Sequence, residues 1–142
     1  MRLTLLLLPL LMLAGCSSWE PDPEDIRPVP AERVLGFQEP VEGGGEVVVT
    51  RHFAMLGGGC YVAVMVDRQV AARIHVGEQV HFQVPAGQHI VGIATDKEDD
   101  TLCGMSRLNR EELVTVTPHE PARLRVIVDS NIGFDIEPDV DR

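Results

Sequence analysis

Hydrophobic and polar positions divide the chain into three regimes. Residues 3–13 form an apolar run interrupted only by Thr4 and Pro9. Residues 17–45 show no periodicity and are dominated by proline and acid: Pro21, Pro23, Pro28, Pro30 and Pro40 among Glu20, Asp22, Glu24, Asp25, Glu32 and Glu39. From residue 46 onward the period is two. Residues 46–55, 60–67, 70–76, 79–84, 89–95, 112–117, 122–128 and 133–137 are short, rich in valine and isoleucine, and bounded by turn residues, which predicts strands. Val70, Ala72, Ile74 and Val76 share one face, as do Val80, Phe82 and Val84. A three-residue loop, Gly77-Glu78-Gln79, predicts a hairpin with Ile74 opposite Phe82 and Ala72 opposite Val84. Residues 61–66 are apolar throughout and predict a central strand covered on both sides; residues 106–113 suit a short helical turn. The expected fold is all-β: a single antiparallel β-sandwich of seven or eight strands over residues 46–142, preceded by a disordered tether over 16–45.

The first regime reads as an export signal. Arg2 supplies the positive start, the apolar run the core, and Ala14 and Gly15 the small residues before a cut. A bilayer-spanning helix needs about 20 apolar residues, so this run is too short for a permanent span. Leu13-Ala14-Gly15-Cys16 resembles the lipobox of bacterial lipoproteins at all four positions. The resemblance implies removal of residues 1–15, a thioether-linked diacylglyceryl group on Cys16, and acylation of the new amine. Ser17, in place of the aspartate that often retains family members at the inner membrane, implies the inner leaflet of the outer membrane, facing the periplasm. Several acyl chains at about 0.8 kcal/mol per buried methylene hold firmly where one does not. The Pro-rich segment, stiffened toward polyproline at about 3.1 Å per residue, is expected to hold the domain several nanometres off that bilayer. Trp19, the single tryptophan, lies three residues past Cys16, suited to the lipid–water interface or to an ordinary place in the tether.

Charge narrows the partners. A formal net charge of −10 with no basic, aromatic-studded patch argues against nucleic acid and against electrostatic adhesion to anionic lipid. Of the three cysteines, lipidation takes Cys16 and leaves Cys60 and Cys103 as an even pair in an oxidising compartment, which predicts one disulfide.

Candidate chemistry is sparse. In the hairpin register above, His75 and His81 face each other, and two imidazoles on neighbouring strands suit a zinc or copper ion or a protonation switch; without a third ligand, a solvated pair is the simpler reading. Asp96, Glu98, Asp99 and Asp100 form an acidic loop lacking the glycine and distal glutamate of an EF-hand, which reads as a solvated charged turn. Asp129 to Gly133 reads as a tight hairpin turn. Gly57-Gly58-Gly59 is followed by no Gly-Lys-Ser/Thr, so it reads as a mobile turn rather than a phosphate loop, and Ser106, Ser130 and His119 sit in no nucleophile elbow. Aromatics make up 4% of the chain, and Phe53, Phe82 and Phe134 are expected in the core, which leaves little for stacking on sugars.

Val64-Met65-Val66-Asp67, followed by a turn, an apolar strand and then Val84-Pro85-Ala86-Gly87-Gln88-His89, is similar to PEGA-type domains and to small lipoproteins with that layout, although Ala86 and Gln88 stand where the motif has Glu and Ala. The resemblance implies a surface-bound β-sandwich used for binding or scaffolding. The sequence therefore leads to a non-enzymatic, periplasm-facing envelope lipoprotein that binds a protein partner. It predicts no catalytic residue, no cofactor and no metal. A metal-binding or pH-responsive protein using His75 and His81, and an envelope hydrolase, are the alternatives.

Overall fold

A computed structural model describes residues 18–140; the expected signal segment and the lipidation residue Cys16 lie outside the described residues. Among the described residues, nine strands form two open sheets. The first sheet runs β1 (Arg27–Pro28), β5 (Glu78–Val84), β2 (Gly45–Arg51), β8 (Ala122–Asp129) and β9 (Gly133–Pro138) in spatial order. The second runs β4 (Gln69–Ile74), β3 (Val62–Val66), β6 (Gly87–Thr95) and β7 (Asn109–Val116). All eight runs of period-two residues are strands, and the protein is all-β. Val47, Val49, Phe82 and Leu124 from one sheet and Val64, Ile74, Val91 and Ile93 from the other belong to one buried cluster.

Four expectations differ from the structure. The sheets are not purely antiparallel, because β2 pairs parallel with β8 (Val47 with Ala122, Val49 with Leu124) and β1 parallel with β5. The hairpin across Gly77 is absent. β4 and β5 lie in different sheets, β4 paired with β3 and β5 with β2, and residues 75–77 arch from one sheet to the other. Alternation cannot tell these arrangements apart: whether two strands pair or arch over, their apolar faces reach the same core. Gly77 makes the arch, with φ +71° and its N–H donating to Arg51 O at 2.9 Å. A Cβ there would meet the Phe53 ring at 2.8 Å. The predicted helical turn is also displaced, since a 3₁₀ turn covers Leu102–Met105 and β7 starts already at Asn109.

The fourth difference concerns the tether. Residues 18–44 lie along the domain as a strap. Ser18 N–H donates to Val128 O at 3.1 Å, and Trp19 exchanges both backbone bonds with Phe53, at 2.9 and 3.0 Å. Farther on, Val29 N–H reaches Gln79 O, Leu35 N–H reaches Ala71 O, and Gln83 N–H reaches Phe37 O. Val29 is buried, and Phe37 meets Phe82 edge-on with ring centroids 6.3 Å apart. The strap thereby covers the β5 and β4 edges on either side of the arch, where proline is tolerated because the outer N–H is not needed by a sheet. Composition marks the segment as unable to build a core; it does not show that a few apolar residues suffice to dock it on one already built.

Candidate functional site

One end of the domain, where β2, β4, β6 and β8 finish, gathers most of the polar chemistry. Val47, Val49 and Arg51 point inward along β2, so the strand's alternation carries an arginine into the core. Arg51 is 1% exposed. Its Nη1 donates to Cys60 O at 2.6 Å and Ile74 O at 2.9 Å, its Nη2 to Gly57 O at 2.8 Å, and the Phe134 ring lies 5.1 Å from the guanidinium carbon. Burial pushes its pKa down to about 10, with Glu78 and Asp99 opposing the shift, so it stays charged at neutral pH. Its three acceptors are the backbone carbonyls of Ile74, at the end of β4, and of Gly57 and Cys60, in the loop before β3. Arg51 is therefore a clamp, and the Gly57–Gly59 turn expected to be mobile is held by it.

Cys60 and Cys103 are brought together with Cα atoms 5.9 Å apart, a spacing that suits a disulfide. The pair fastens the 96–106 loop beside the clamp. The acidic loop is not a solvated turn throughout. Lys97, Glu98 and Asp100 face solvent, but Asp96 and Asp99 are buried. Asp96 Oδ2 takes Arg73 Nε–H at 2.7 Å. Asp99 Oδ2 accepts Tyr61 N–H at 2.8 Å, while its Oδ1 accepts the backbone N–H of Thr101 at 2.8 Å and the Thr101 hydroxyl. The Thr101 hydroxyl and the two N–H groups hold the Asp99 carboxyl below its ordinary range.

Beside it, Arg33 and Arg73 lie over the Tyr61 ring at 4.9 and 5.0 Å. Arg33 from the strap is bidentate to Glu78, whose Oε2 also accepts His75 N–H at 2.8 Å. His75 and His81 do not face each other. The His75 ring tilts against Tyr61 at 5.1 Å, whereas His81 sits opposite Val48 with its ring nitrogens on Glu46 Oε1 (2.6 Å) and Gln79 Oε1 (3.0 Å). The proposed histidine clamp fails because its two strands belong to different sheets. No grouping of three or more metal-ligating side chains occurs among the described residues.

At the opposite end, Asp67 and Arg68 form the two-residue β3–β4 turn, both with positive φ (48° and 64°). Asp67 Oδ1 accepts Ile90 N–H at 3.0 Å, and Asp67 Oδ2 meets His89 Nδ1 at 2.7 Å. His89 Nε2 meets Pro85 O at 2.7 Å. Both partners carry acceptor oxygens, so this geometry favours the imidazolium, which donates from both ring nitrogens. Burial alone lowers its pKa, but the Asp67 carboxylate and the Pro85 carbonyl raise it by more. Asp67, Pro85 and His89, quoted above as one layout, are thus a single hydrogen-bonded lock. The turn from Asp129 to Gly133 is a tight hairpin, with Asp129 Oδ1 accepting Asn131 N–H and Ile132 N–H and Gly133 at φ +80°.

A concavity of about 960 Å³ lies on the outer face of the four-stranded sheet. Small residues produce it. Ala63 pairs with Ala94, and in the next row Gly92 stands opposite Met65, so three small residues leave the sheet surface low there. Gly92 also lets β7 approach, since a Cβ there would meet Arg110 O at 2.6 Å. Leu35 of the strap, Val70 and Leu108 add apolar walls, and Arg68, Asp96, Lys97, Glu98 and Glu111 form a charged rim.

Sequence reasoning missed Arg51, the Tyr61 stack and the Asp67–His89 lock. For Arg51 a signal was present, because it shares the parity of Val47 and Val49. Arg33 comes from the strap, Tyr61 from the loop before β3, Arg73 from β4 and Glu78 from β5, and no local pattern joins them. Comparison with family models, with curated proteins and with solved structures finds no match for this chain.

Proposed function

We propose that this chain is a lipid-anchored, periplasm-facing lipoprotein whose domain, an eight-stranded β-sandwich, is a non-enzymatic binding or assembly module of the cell envelope. The anchor rests on the Leu13–Cys16 motif. The sandwich rests on two open sheets that feed one buried cluster. The binding role rests on the hollow floored by Ala63 and Ala94. Its occupant is an extended segment of a partner protein: the floor is shallow and strand-like, and the rim offers both signs of charge to a polypeptide. A support for binding over turnover is that the polar groups near the hollow are engaged with one another; Arg73 holds Asp96, and Arg68 holds Glu111.

A photo-crosslinking residue at Met65, compared with one at Arg123 on the other sheet, tests this in intact envelopes. The expected result is one discrete adduct from position 65 that disappears when Ala94→Leu fills the floor. Equal adducts from both positions, or an adduct indifferent to Ala94→Leu, would overturn the assignment.

A further inference from the structure

The strap changes how an anchored domain can stand. Ser18 and Trp19 are hydrogen-bonded to Val128 and Phe53, at the ends of β8 and β2. Only Ser17 separates Cys16 from Ser18. Two peptide units span at most about 7 Å, so no slack is left for a spacer. The end of the domain that holds Ser18 also carries an apolar fringe. Trp19 is half-exposed and stacked on Phe53 at 6.0 Å; Met55 and Leu56 follow in the next loop, Ile132 tips the β8–β9 turn, and Leu102 and Met105 tip the 3₁₀ turn. Met55, Leu102 and Met105 are each at least 80% exposed. Six of the eleven large exposed hydrophobic residues described thus lie in loops at the end where the anchor enters.

We propose that this loop end is a membrane-seating surface, whose occupant is the lipid bilayer that holds the acyl chains. The proposal rests on the lipid-anchor reading and deepens it: the domain stands directly on the bilayer with Trp19, Met55, Leu56, Leu102, Met105 and Ile132 in the headgroup region. Fringes of this kind enter about 5–10 Å into the interface. Attraction by anionic lipid plays no part, given the chain's net charge of −10. Seating then turns residues 117–121, at the far ends of β7 and β8, away from the membrane. The hollow on the four-stranded sheet is presented sideways, within reach of partners at the membrane surface.

The test uses the full chain purified from envelopes and reconstituted into zwitterionic phosphatidylcholine vesicles with brominated acyl chains. Trp19 lies too near the anchor to discriminate, so Trp19→Phe is combined with Leu56→Trp or, as the far-end control, with His119→Trp. Both positions are exposed. Mass measurement of each sample reports acylation of Cys16. With acyl chains present, the expected result is that the tryptophan at position 56 loses most of its emission and the one at 119 keeps it. Equal quenching at both, or quenching at neither, in acylated protein overturns the seating and leaves the anchor standing. The vesicles hold no other protein, so an apolar end made for a protein partner gives the unquenched outcome. Absence of acyl chains overturns the lipid anchor, and the seating with it.

Discussion

Replacing Arg51 by methionine separates a clamp from a merely tolerated buried charge. The side chain keeps nearly its length and packing against Phe134, but the carbonyls of Gly57, Cys60 and Ile74 lose the guanidinium donor, Gly57 O retaining the Cys60 N–H at 3.1 Å. Each orphaned buried acceptor costs about 1–3 kcal/mol. Against this stands relief of the guanidinium's own desolvation, the cause of its lowered pKa. Where both members of a buried ion pair are replaced by apolar groups, such relief often wins. Here only the donor goes, and the backbone acceptors cannot be mutated away. The balance falls at about 3–5 kcal/mol of lost stability, the range found when one partner of a buried pair is removed. For a domain with about 5–15 kcal/mol in total, that is a large fraction. Urea unfolding with the Cys60–Cys103 bridge intact measures it, and Arg51→Lys should recover only part, since one ammonium cannot span three carbonyls held in a fork. A midpoint for Arg51→Met within about 1 kcal/mol of the parent would show that water satisfies these carbonyls and that the clamp reading is wrong.

Two further outcomes follow from the same geometry. His89 has a folded pKa above its ordinary 6.5, so its contribution is complete below 6.5 and is lost as pH rises through the folded value. His52 and His75, lowered mainly by burial, act in the opposite sense, so the readout is the difference between parent and His89→Phe. That difference should be about 1–3 kcal/mol at mildly acid pH and shrink as pH rises past 6.5; a constant or growing difference refutes the lock. Reduction of Cys60–Cys103, which are 43 residues apart, should lower stability by about 4 kcal/mol on the loop-closure model and raise amide exchange in residues 96–106. Unchanged exchange there would show that Asp99 and the Tyr61 stack hold the loop without the bridge.

What the sequence determined by itself is what depends on near neighbours. Alternating valines set eight strands, because burying one face requires a period of two wherever the strand ends up. The turn at Gly133 was equally a local signal, whereas the cysteine pair, 43 residues apart, followed from counting cysteines. Pairing was not. Ile74 and Phe82 reach the core as well from opposite sheets as from one hairpin, so only the tertiary structure decided that β4 and β5 part at Gly77, separating His75 from His81. It likewise decided that β2 lies parallel to β8, and that Asp96 and Asp99 turn inward to Arg73 and Tyr61. The strap is the clearest case: proline and acid describe how a segment behaves alone, whereas the docking of Trp19, Val29 and Phe37 depends on edges and pockets that other parts of the chain create. Hydrophobic period is written into each segment. The partner of a buried face, and of a buried charge, is fixed only when the segments meet.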